Sequence, residues 1–342
     1  MQELTWSWRG QRITYTHHPS TAAADGCHNG PPPGRAVVCV HGFGASKGHW
    51  RHNLDALSRQ GDVYAIDLLG FGNSSKPRSQ LRGEADLAGA VHYGFDLWAE
   101  QVVEFCREVI GRGNGTAAAP ARGPVATQLI GNSIGGVVVL NAARLLLEQG
   151  LPPQQLILID CAERELDLKR LSEQPWPAQL GRPLLMALVR QRWLVTSLFR
   201  WFARPALVRQ VLLQAYPTGG NVDDALVELL LQPTGDPGAP ESFRGFVNLF
   251  DDWLAPQLLA ELSSRVPMLP VQLLWGGADP WEPLAEAERW QRSFACVQEL
   301  RVLPGLGHCP HDEAPELVNP ILVEWLERGW SRADNRDAGG RP

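Results

Sequence analysis

Several features that mark other protein classes are missing from this chain of 342 residues. It has no run of eighteen uninterrupted apolar residues, and its N-terminus has no basic region followed by an apolar run. We therefore expect neither a membrane span nor a secretory signal peptide. It has no Lys/Arg-rich run and no paired Cys/His finger spacing, and its net charge is -6. These absences argue against a nucleic-acid-binding protein.

Cysteine is sparse and follows no regular spacing. The chain has six cysteines, and several lie within apolar strand or helix patterns. This distribution favours buried free thiols in a reducing compartment, so the expected location is cytoplasmic. With 44% hydrophobic residues, the chain can bury a substantial core.

What the sequence does contain is an alternation of strand and helix patterns. It begins with a predicted hairpin over residues 6–16, followed by a loop rich in Gly, Pro and Ala up to residue 34. A continuous apolar run over residues 36–40 predicts a strand, and further strands are predicted over residues 62–68, 125–130, 155–160, 271–275 and 298–303. Because helical patterns separate these buried strands, the predicted fold class is α/β, with a mostly parallel central sheet covered by helices on both faces.

One insertion breaks this alternation. After the strand that ends near Asp160, a long stretch with helical spacing precedes the next strand, and we interpret it as a cap over the strand ends. The last helix is predicted over residues 315–325. The predicted domains are a first core part over residues 1–162, a helical cap over 163–259, a second core part over 260–330 and a flexible C-terminal tail over 331–342.

The cap sequence has an uneven charge distribution. No acidic residue occurs between Glu173 and Asp223, whereas arginines alternate there with Leu, Trp and Phe. These arginines are Arg182, Arg190, Arg192, Arg200, Arg204 and Arg209. Two interpretations stay open: a basic amphipathic surface that contacts an anionic membrane peripherally, and ordinary cap helices packed on the core with solvated arginines.

The most informative segment places Ser133 between small residues at the exit of an apolar strand. A strand that turns sharply into a helix leaves the turn residue strained, with its side chain projecting. Gly131 and Gly135, two positions either side, remove side chains that would collide there. Ser133 is therefore the candidate nucleophile of an elbow, and the competing interpretation is a glycine-rich turn whose serine only bonds backbone.

A serine nucleophile needs a base to take its proton and a carboxylate to orient that base. Asp279 and His308 each follow a predicted strand through a glycine-containing turn. Because ligands gather at the carboxyl ends of parallel strands, these residues are the predicted acid and base. Asp251 and Asp252 are rival acids, although no strand immediately precedes them.

Backbone N–H groups are the expected donors to an oxyanion. Ile134, the first helical residue after the serine, can supply one, and Phe43 in a His-Gly-Phe-Gly loop can supply the other. This arrangement predicts an oxyanion hole. Asp67, at another strand end, is interpreted as a turn carboxylate that caps backbone N–H groups.

The region around the predicted base also contains potential metal ligands, namely His308, Cys309, His311 and Asp312. The proline between Cys309 and His311 and the lack of a second ligand cluster argue against a metal site. We expect neither a metal nor a cofactor. His311 and Asp312 are predicted to brace the loop that carries His308.

Three segments, Gly131–Gly136, Trp275–Trp281 and Gly307–Asn319, narrow the interpretation. Together with the order serine, aspartate, histidine, they resemble the α/β-hydrolase superfamily, in particular its pheophytinase and chlorophyll dephytylase group. The resemblance implies a serine-nucleophile enzyme in which the three residues form a catalytic triad. It also implies dephytylation, the hydrolysis of the phytyl ester of a chlorophyll-type pigment.

The predicted function is a serine esterase that acts through an acyl-enzyme intermediate. Its predicted substrate is a bulky apolar small-molecule ester, such as the phytyl ester of chlorophyll or pheophytin. Two alternatives stay open: a general carboxylesterase or lipase acting on lipid esters, and a non-catalytic binding protein on a hydrolase fold.

Overall fold

The computed structural model describes residues 2–21, 34–112, 125–164 and 167–339, with side chains described as far as residue 334. The loop predicted before residue 34 lies largely outside these ranges. Each predicted strand is present. The strands are β1 (Glu3–Trp8), β2 (Gln11–His18), β3 (Arg35–Val40), β4 (Asp62–Ile66), β5 (Ala126–Asn132), β6 (Gln155–Ile159), β7 (Val271–Gly276) and β8 (Val297–Leu303).

The strands form one sheet in the order β1-β2-β4-β3-β5-β6-β7-β8. The β1–β2 and β2–β4 pairs are antiparallel, and all other neighbouring strands are parallel. Along β3, Val38 and Val40 face one buried layer while Val37 and Cys39 face the other. The prediction of a mostly parallel sheet covered on both faces is therefore confirmed.

Helices supply both of these layers. They are α1 (Leu54–Leu57), α2 (Phe95–Phe105), α3 (Ile134–Glu148), α4 (Trp176–Val189), α5 (Arg192–Phe202), α6 (Pro205–Ala215), α7 (Asp224–Leu231), α8 (Ala239–Val247), α9 (Ala255–Arg265), α10 (Leu284–Ser293), α11 (Pro310–Glu313) and α12 (Pro315–Gly339). The larger core contains side chains of α2, α3, α9 and α10, and the opposite face contains those of α1 and α12. In the part of the chain that the structure describes, no helix combines the length and apolarity needed to cross a membrane.

The insertion after β6 is helical, as predicted, and contains α4 to α8. The expected boundary at residue 259 falls inside α9, whose Leu258, Leu259 and Leu262 are fully buried in the larger core. The cap helices therefore end with α8. Apolar spacing is the same in a cap helix and in a core helix, so the sequence pattern does not separate them.

The last helix is longer than the predicted span of residues 315–325. It continues to Gly339 and includes most of residues 331–342, the segment expected to be a flexible tail. Trp330 is buried in the layer formed with α1, and the Arg328 guanidinium lies 2.6 Å from the Glu299 carboxylate on β8. These contacts fix the helix beyond its predicted end.

Candidate active site

The carboxyl ends of five neighbouring strands converge at one edge of the sheet. Phe43 follows β3, Ser133 follows β5, Asp160 follows β6, Asp279 follows β7 and His308 follows β8. Since these strands are adjacent and parallel, residues far apart in sequence are neighbours here. Of these five, only Asp160 lacks a predicted role.

Ser133 occupies the sharp turn between β5 and α3. Its backbone has φ 54° and ψ -123°, a strained conformation for a residue with a side chain, and its exposed fraction is 8%. A Cβ at Gly131 would overlap the Gly135 carbonyl, and a Cβ at Gly135 would overlap the Val40 carbonyl. The two glycines therefore allow β5, α3 and the end of β3 to approach closely around the serine.

We expect Gly131→Ala to lower the free energy of unfolding by about 3 kcal/mol or more, because the added methyl group meets backbone rather than a movable side chain. Denaturant titration measures the change. Gly181→Ala in α4 is the matched control, since nothing lies within 4 Å of a Cβ there. It should leave stability unchanged or raise it by up to about 1 kcal/mol. Similar losses in both variants would contradict the steric explanation.

His308 and Asp279 form a direct hydrogen bond. The His308 Nδ1 atom lies 2.8 Å from Asp279 Oδ2, and Asp279 Oδ1 accepts from the backbone N–H of Trp281 at 2.8 Å. Burial opposes ionisation of Asp279, but the hydrogen bond and charge of His308 outweigh it, so the pKa of Asp279 is lowered. The Trp281 ring packs edge-on against His308 with centroids 4.8 Å apart. The imidazole is therefore held by a carboxylate on one side and an aromatic ring on another.

Asp160 is a second carboxyl group in this cluster and was missed by the sequence reasoning. It is fully buried, its Oδ1 accepts from the Gly276 N–H at 2.8 Å, and no N–H or O–H group of the described residues donates to its Oδ2. Burial and the Asp279 charge raise the pKa of Asp160 well above its ordinary value, whereas the pKa of Asp279 is lowered.

The serine and histidine are linked through their neighbours. The Asn132 side-chain amide donates to the backbone carbonyl of His308 at 3.1 Å and to that of Ile159 at 3.2 Å. Within the described ranges, no hydrogen bond joins Ser133 Oγ to His308. Such bonds are often long before substrate binds, and the assignment of His308 as the base for this serine stays a prediction.

The two predicted oxyanion donors are backbone groups without a partner. Neither Phe43 N–H nor Ile134 N–H donates a hydrogen bond to another group of the described chain. A Cβ at Gly42 would lie 3.1 Å from Ser133 Cβ, so the loop that carries Phe43 passes directly beside the serine. His41 holds this loop, since its Nδ1 lies 2.7 Å from the Gly42 carbonyl and its Nε2 accepts from Leu68 N–H at 3.1 Å.

The loop after His308 is braced by buried polar groups. Asp312 accepts from Arg51 Nε at 2.9 Å and from the Tyr216 hydroxyl at 3.0 Å. Asp312 thus has the predicted bracing role. His311 is fully buried, but its ring makes no hydrogen bond among the described residues and packs instead against the ring of Trp50, with centroids 4.6 Å apart.

The same loop also holds the cap. The His308 N–H donates to the carbonyl of Ala215, at the end of α6, at 2.9 Å. Glu313 accepts from Thr218 N–H at 2.9 Å and from Gly307 N–H at 2.7 Å, which ties the segment after α6 to the start of the histidine loop. One end of the cap and the predicted base are therefore parts of one hydrogen-bonded unit.

The remaining acidic candidates lie in structural positions. Asp67 accepts from Lys47 N–H at 2.6 Å and from Asn73 N–H at 2.9 Å, which confirms its interpretation as a turn carboxylate. Asp252 accepts from Phe95 N–H at the start of α2 at 3.0 Å. Asp251 forms ion pairs at the surface. The structure therefore places Asp279, and neither rival, against His308.

No group of three or more His, Cys, Asp or Glu side chains within the described ranges is arranged to hold a metal ion. Cys309, one of the residues considered as a ligand, packs in the small cap cluster around Tyr216. The five described cysteines are free thiols and are buried.

Sequence comparison places this architecture in a known family, because the sequence model described as "Alpha/beta hydrolase family" matches residues 37–321. The chain belongs to the alpha/beta hydrolase family. One solved structure that the chain resembles is of a serine hydrolase involved in carbazole degradation, with a TM-score of 0.64 at 17% identity, covering 95% of this chain and 98% of that chain. At this identity the likeness concerns the fold alone.

Two curated relatives of this hydrolase act on different compounds according to their names. Chloroplastic pheophytinase of Arabidopsis thaliana is 28% identical over 88% of this chain and 63% of its own length. The (lyso)-N-acylphosphatidylethanolamine lipase of Mus musculus is 24% identical over 84% of this chain and 78% of its own length. The chain thus spans less than two thirds of the pheophytinase.

Proposed function

We propose that this hydrolase is a serine esterase that cleaves a bulky apolar carboxylic ester, with the phytyl ester of chlorophyll or pheophytin as its leading substrate. The observation that carries the proposal is the His308–Asp279 hydrogen bond of 2.8 Å beside a serine with φ 54°. In the proposed triad, Ser133 is the nucleophile, His308 is the base and Asp279 is the acid that orients the base. The similarity to pheophytinase supports the substrate class.

In the first step, Ser133 Oγ attacks the ester carbonyl carbon while His308 accepts the hydroxyl proton. The charge on the carbonyl oxygen is stabilised by the N–H groups of Phe43 and Ile134, each such donor contributing about 3 kcal/mol to transition-state stabilisation. The C–O bond to the alcohol then breaks, and His308 returns its proton to the departing alkoxide oxygen. The products of this step are the free alcohol and an acyl-serine.

In the second step, a water molecule attacks the acyl carbon as His308 accepts one of its protons. Collapse of the tetrahedral intermediate breaks the bond to Ser133 Oγ, which takes that proton back, and the carboxylic acid leaves. Asp279 stabilises the imidazolium form of His308 in both steps and remains ionised, in keeping with its lowered pKa.

The surroundings of the oxyanion loop favour an apolar substrate. The Phe43 ring stacks on Phe246 of α8 with centroids 3.8 Å apart and contacts Phe71 and Phe243 at 5.8 and 6.0 Å. The cavity beside them, also lined by Phe199 of α5, has a volume of about 50 Å³. Sites for ligands of drug size occupy roughly 300–1,000 Å³, so a phytyl ester requires α5 and α8 to move apart.

A single assay comparing three substrate classes tests this proposal. Pheophytin or chlorophyll, a lyso-phospholipid or acylglycerol, and a short p-nitrophenyl ester are incubated with equal enzyme, and the acid products are quantified by chromatography. We expect release of the dephytylated pigment with the highest kcat/KM. Cleavage of only the lipid or short esters would replace the pigment substrate with a lipase or general esterase activity. No cleavage, together with no labelling by a fluorophosphonate, would favour a binding protein.

A further inference from the structure

The cap helices α4, α5 and α6 expose many large apolar side chains. Eleven of the seventeen large hydrophobic side chains that are exposed in the described ranges lie on α4, α5 and α6. Trp176 and Trp193 have exposed fractions of 71% and 70%. The most exposed members on the three helices are Trp176, Leu180, Leu184, Trp193, Trp201 and Leu213. Large exposed apolar patches mark interaction sites with proteins or membranes.

The exposure of these side chains bears on the two interpretations of the cap sequence. Packing on the core accounts for only a few apolar side chains of the three helices, such as Val195 and Leu212. Arg182, in contrast, is buried with its guanidinium over the Phe250 ring. The apolar residues thus face outward to a large extent, which ordinary cap packing does not explain.

The positive charge of the segment that contains these helices indicates a partner with negative charge. Residues 174–222 contain six arginines, no lysine and no acidic residue, although the whole chain has a net charge of -6. Arg192 and Arg209 pair with acids outside this segment, whereas Arg200 and Arg204 are exposed and form no ion pair within the described chain. Exposed tryptophans beside uncompensated arginines suit the interface of a bilayer, where indole rings lie at headgroup depth and cations meet anionic phosphates.

The position of α5 connects this surface to the candidate active site. On its inner side, Phe199 packs against Phe243 with centroids 5.5 Å apart, and Phe243 in turn contacts Phe43 of the oxyanion loop. On its outer side, the same helix exposes Trp193 and Trp201. A partner bound to the outer side of α5 is therefore about one helix diameter away from the cavity lined by Phe43 and Phe199.

We propose that the face formed by α4, α5 and α6, here called the cap face, docks on a lipid bilayer that carries anionic headgroups. Docking inserts the exposed tryptophan and leucine side chains at the headgroup boundary, with Arg200 and Arg204 against lipid phosphates. The bilayer then presents apolar esters at the α5 side of the cap. This last step rests on the proposed function, whereas docking itself does not depend on catalysis.

The test is co-sedimentation of the full-length protein with phosphatidylcholine vesicles, with and without phosphatidylglycerol. We expect binding to the anionic vesicles, a shift of tryptophan emission to shorter wavelength, and weaker binding when salt rises from about 0.05 to 0.5 M. The double variant Trp193→Ser/Trp201→Ser should bind at least about tenfold more weakly. Arg200→Gln/Arg204→Gln should lose about tenfold, and only on anionic vesicles.

The matched control is Leu87→Ser/Leu151→Ser, which removes two exposed leucines outside the cap face and should bind as the parent does. Circular dichroism checks that every variant is folded. Failure of the parent to bind anionic vesicles, or unchanged binding by the tryptophan variant, would overturn the proposal. A dimer in light scattering that the tryptophan variant dissociates would also overturn it, because a second copy would then cover the cap face.

Catalysis and docking can fail separately in these measurements. Ser133→Ala should bind vesicles as the parent does, since the serine lies beneath the cap face rather than on it. Hydrolysis of a short soluble ester without vesicle binding would remove the docking proposal alone. Vesicle binding without hydrolysis of any ester would remove the proposed function alone.

Discussion

Ser133→Ala is expected to lower kcat for every hydrolysed ester by about 10⁴- to 10⁶-fold, because it removes the atom that forms the covalent intermediate. Binding and the oxyanion donors remain, so a small residual rate above that in water should persist. The measurement is kcat under saturating short-chain ester, combined with labelling by a fluorophosphonate probe. Labelling should disappear together with activity.

The control for this loss is Ser58→Ala. Ser58 is another buried serine, and it directly follows α1, on the other side of the sheet from α3. Its hydroxyl donates to the Asp55 backbone carbonyl at 2.9 Å. This variant should keep its turnover and its labelling. Full turnover in Ser133→Ala would refute the acyl-enzyme mechanism, whatever the identity of the substrate.

Asp279→Asn is expected to lower kcat by about 10⁴-fold while leaving the size of the side chain unchanged. An amide at this position no longer stabilises the imidazolium, and its NH₂ group favours the wrong tautomer of His308. Stopped-flow or steady-state kinetics with a chromogenic ester measure the loss. The KM should change much less than kcat, since Asp279 is placed to contact His308 and not the substrate.

Asp160→Asn provides the matched comparison and should retain activity within about tenfold of the parent. The new amide can still accept from Gly276 N–H through its oxygen, and the size of the side chain is unchanged. Asp160→Leu removes this hydrogen bond and should reduce kcat more strongly. A loss in Asp160→Asn as large as that in Asp279→Asn would mean that Asp160 acts as a charged carboxylate.

Local sequence patterns predict much of the fold because most strands of this sheet are mainly apolar, and several, such as β5 and β7, end at a glycine-containing turn. The same patterns place Ser133, Asp279 and His308 at strand ends, and adjacency then follows from parallel pairing. The boundary of α9 and the end of α12 were not predictable in this way. Both depend on which distant part of the chain the helix packs against. The spacing of apolar residues within a helix does not show this.

Asp160 shows a second limit of prediction from sequence alone. In the sequence it is the polar residue that ends an apolar strand, which is common at turns. Its proximity to Asp279 results from the pairing of β6 with β7, which are separated by the whole cap. A signal was available, since an aspartate directly after a strand that neighbours the acid strand is a candidate for the same cluster.

The segment Gly307–Asn319, which suggested a pigment esterase, has a mainly structural role in this molecule. Asp312 and Glu313 are buried and bind Arg51, Tyr216 and Thr218. The polar residues of this segment attach the loop that carries His308 to the cap. Information about the ester is expected instead in the aromatic residues near Phe43 and in the helices above them.

The hydrogen bond from His308 N–H to the Ala215 carbonyl gives the cap a fixed pivot. If the C-terminal end of α6 lifted, the imidazole would lose its alignment with Asp279, so an opening that preserves proton transfer must swing from the opposite end, at α4 and α5. Under the proposed function, a long alcohol chain would enter beneath α5 and leave by the same route. The rate of that swing, rather than bond breaking, would then set turnover for the longest esters.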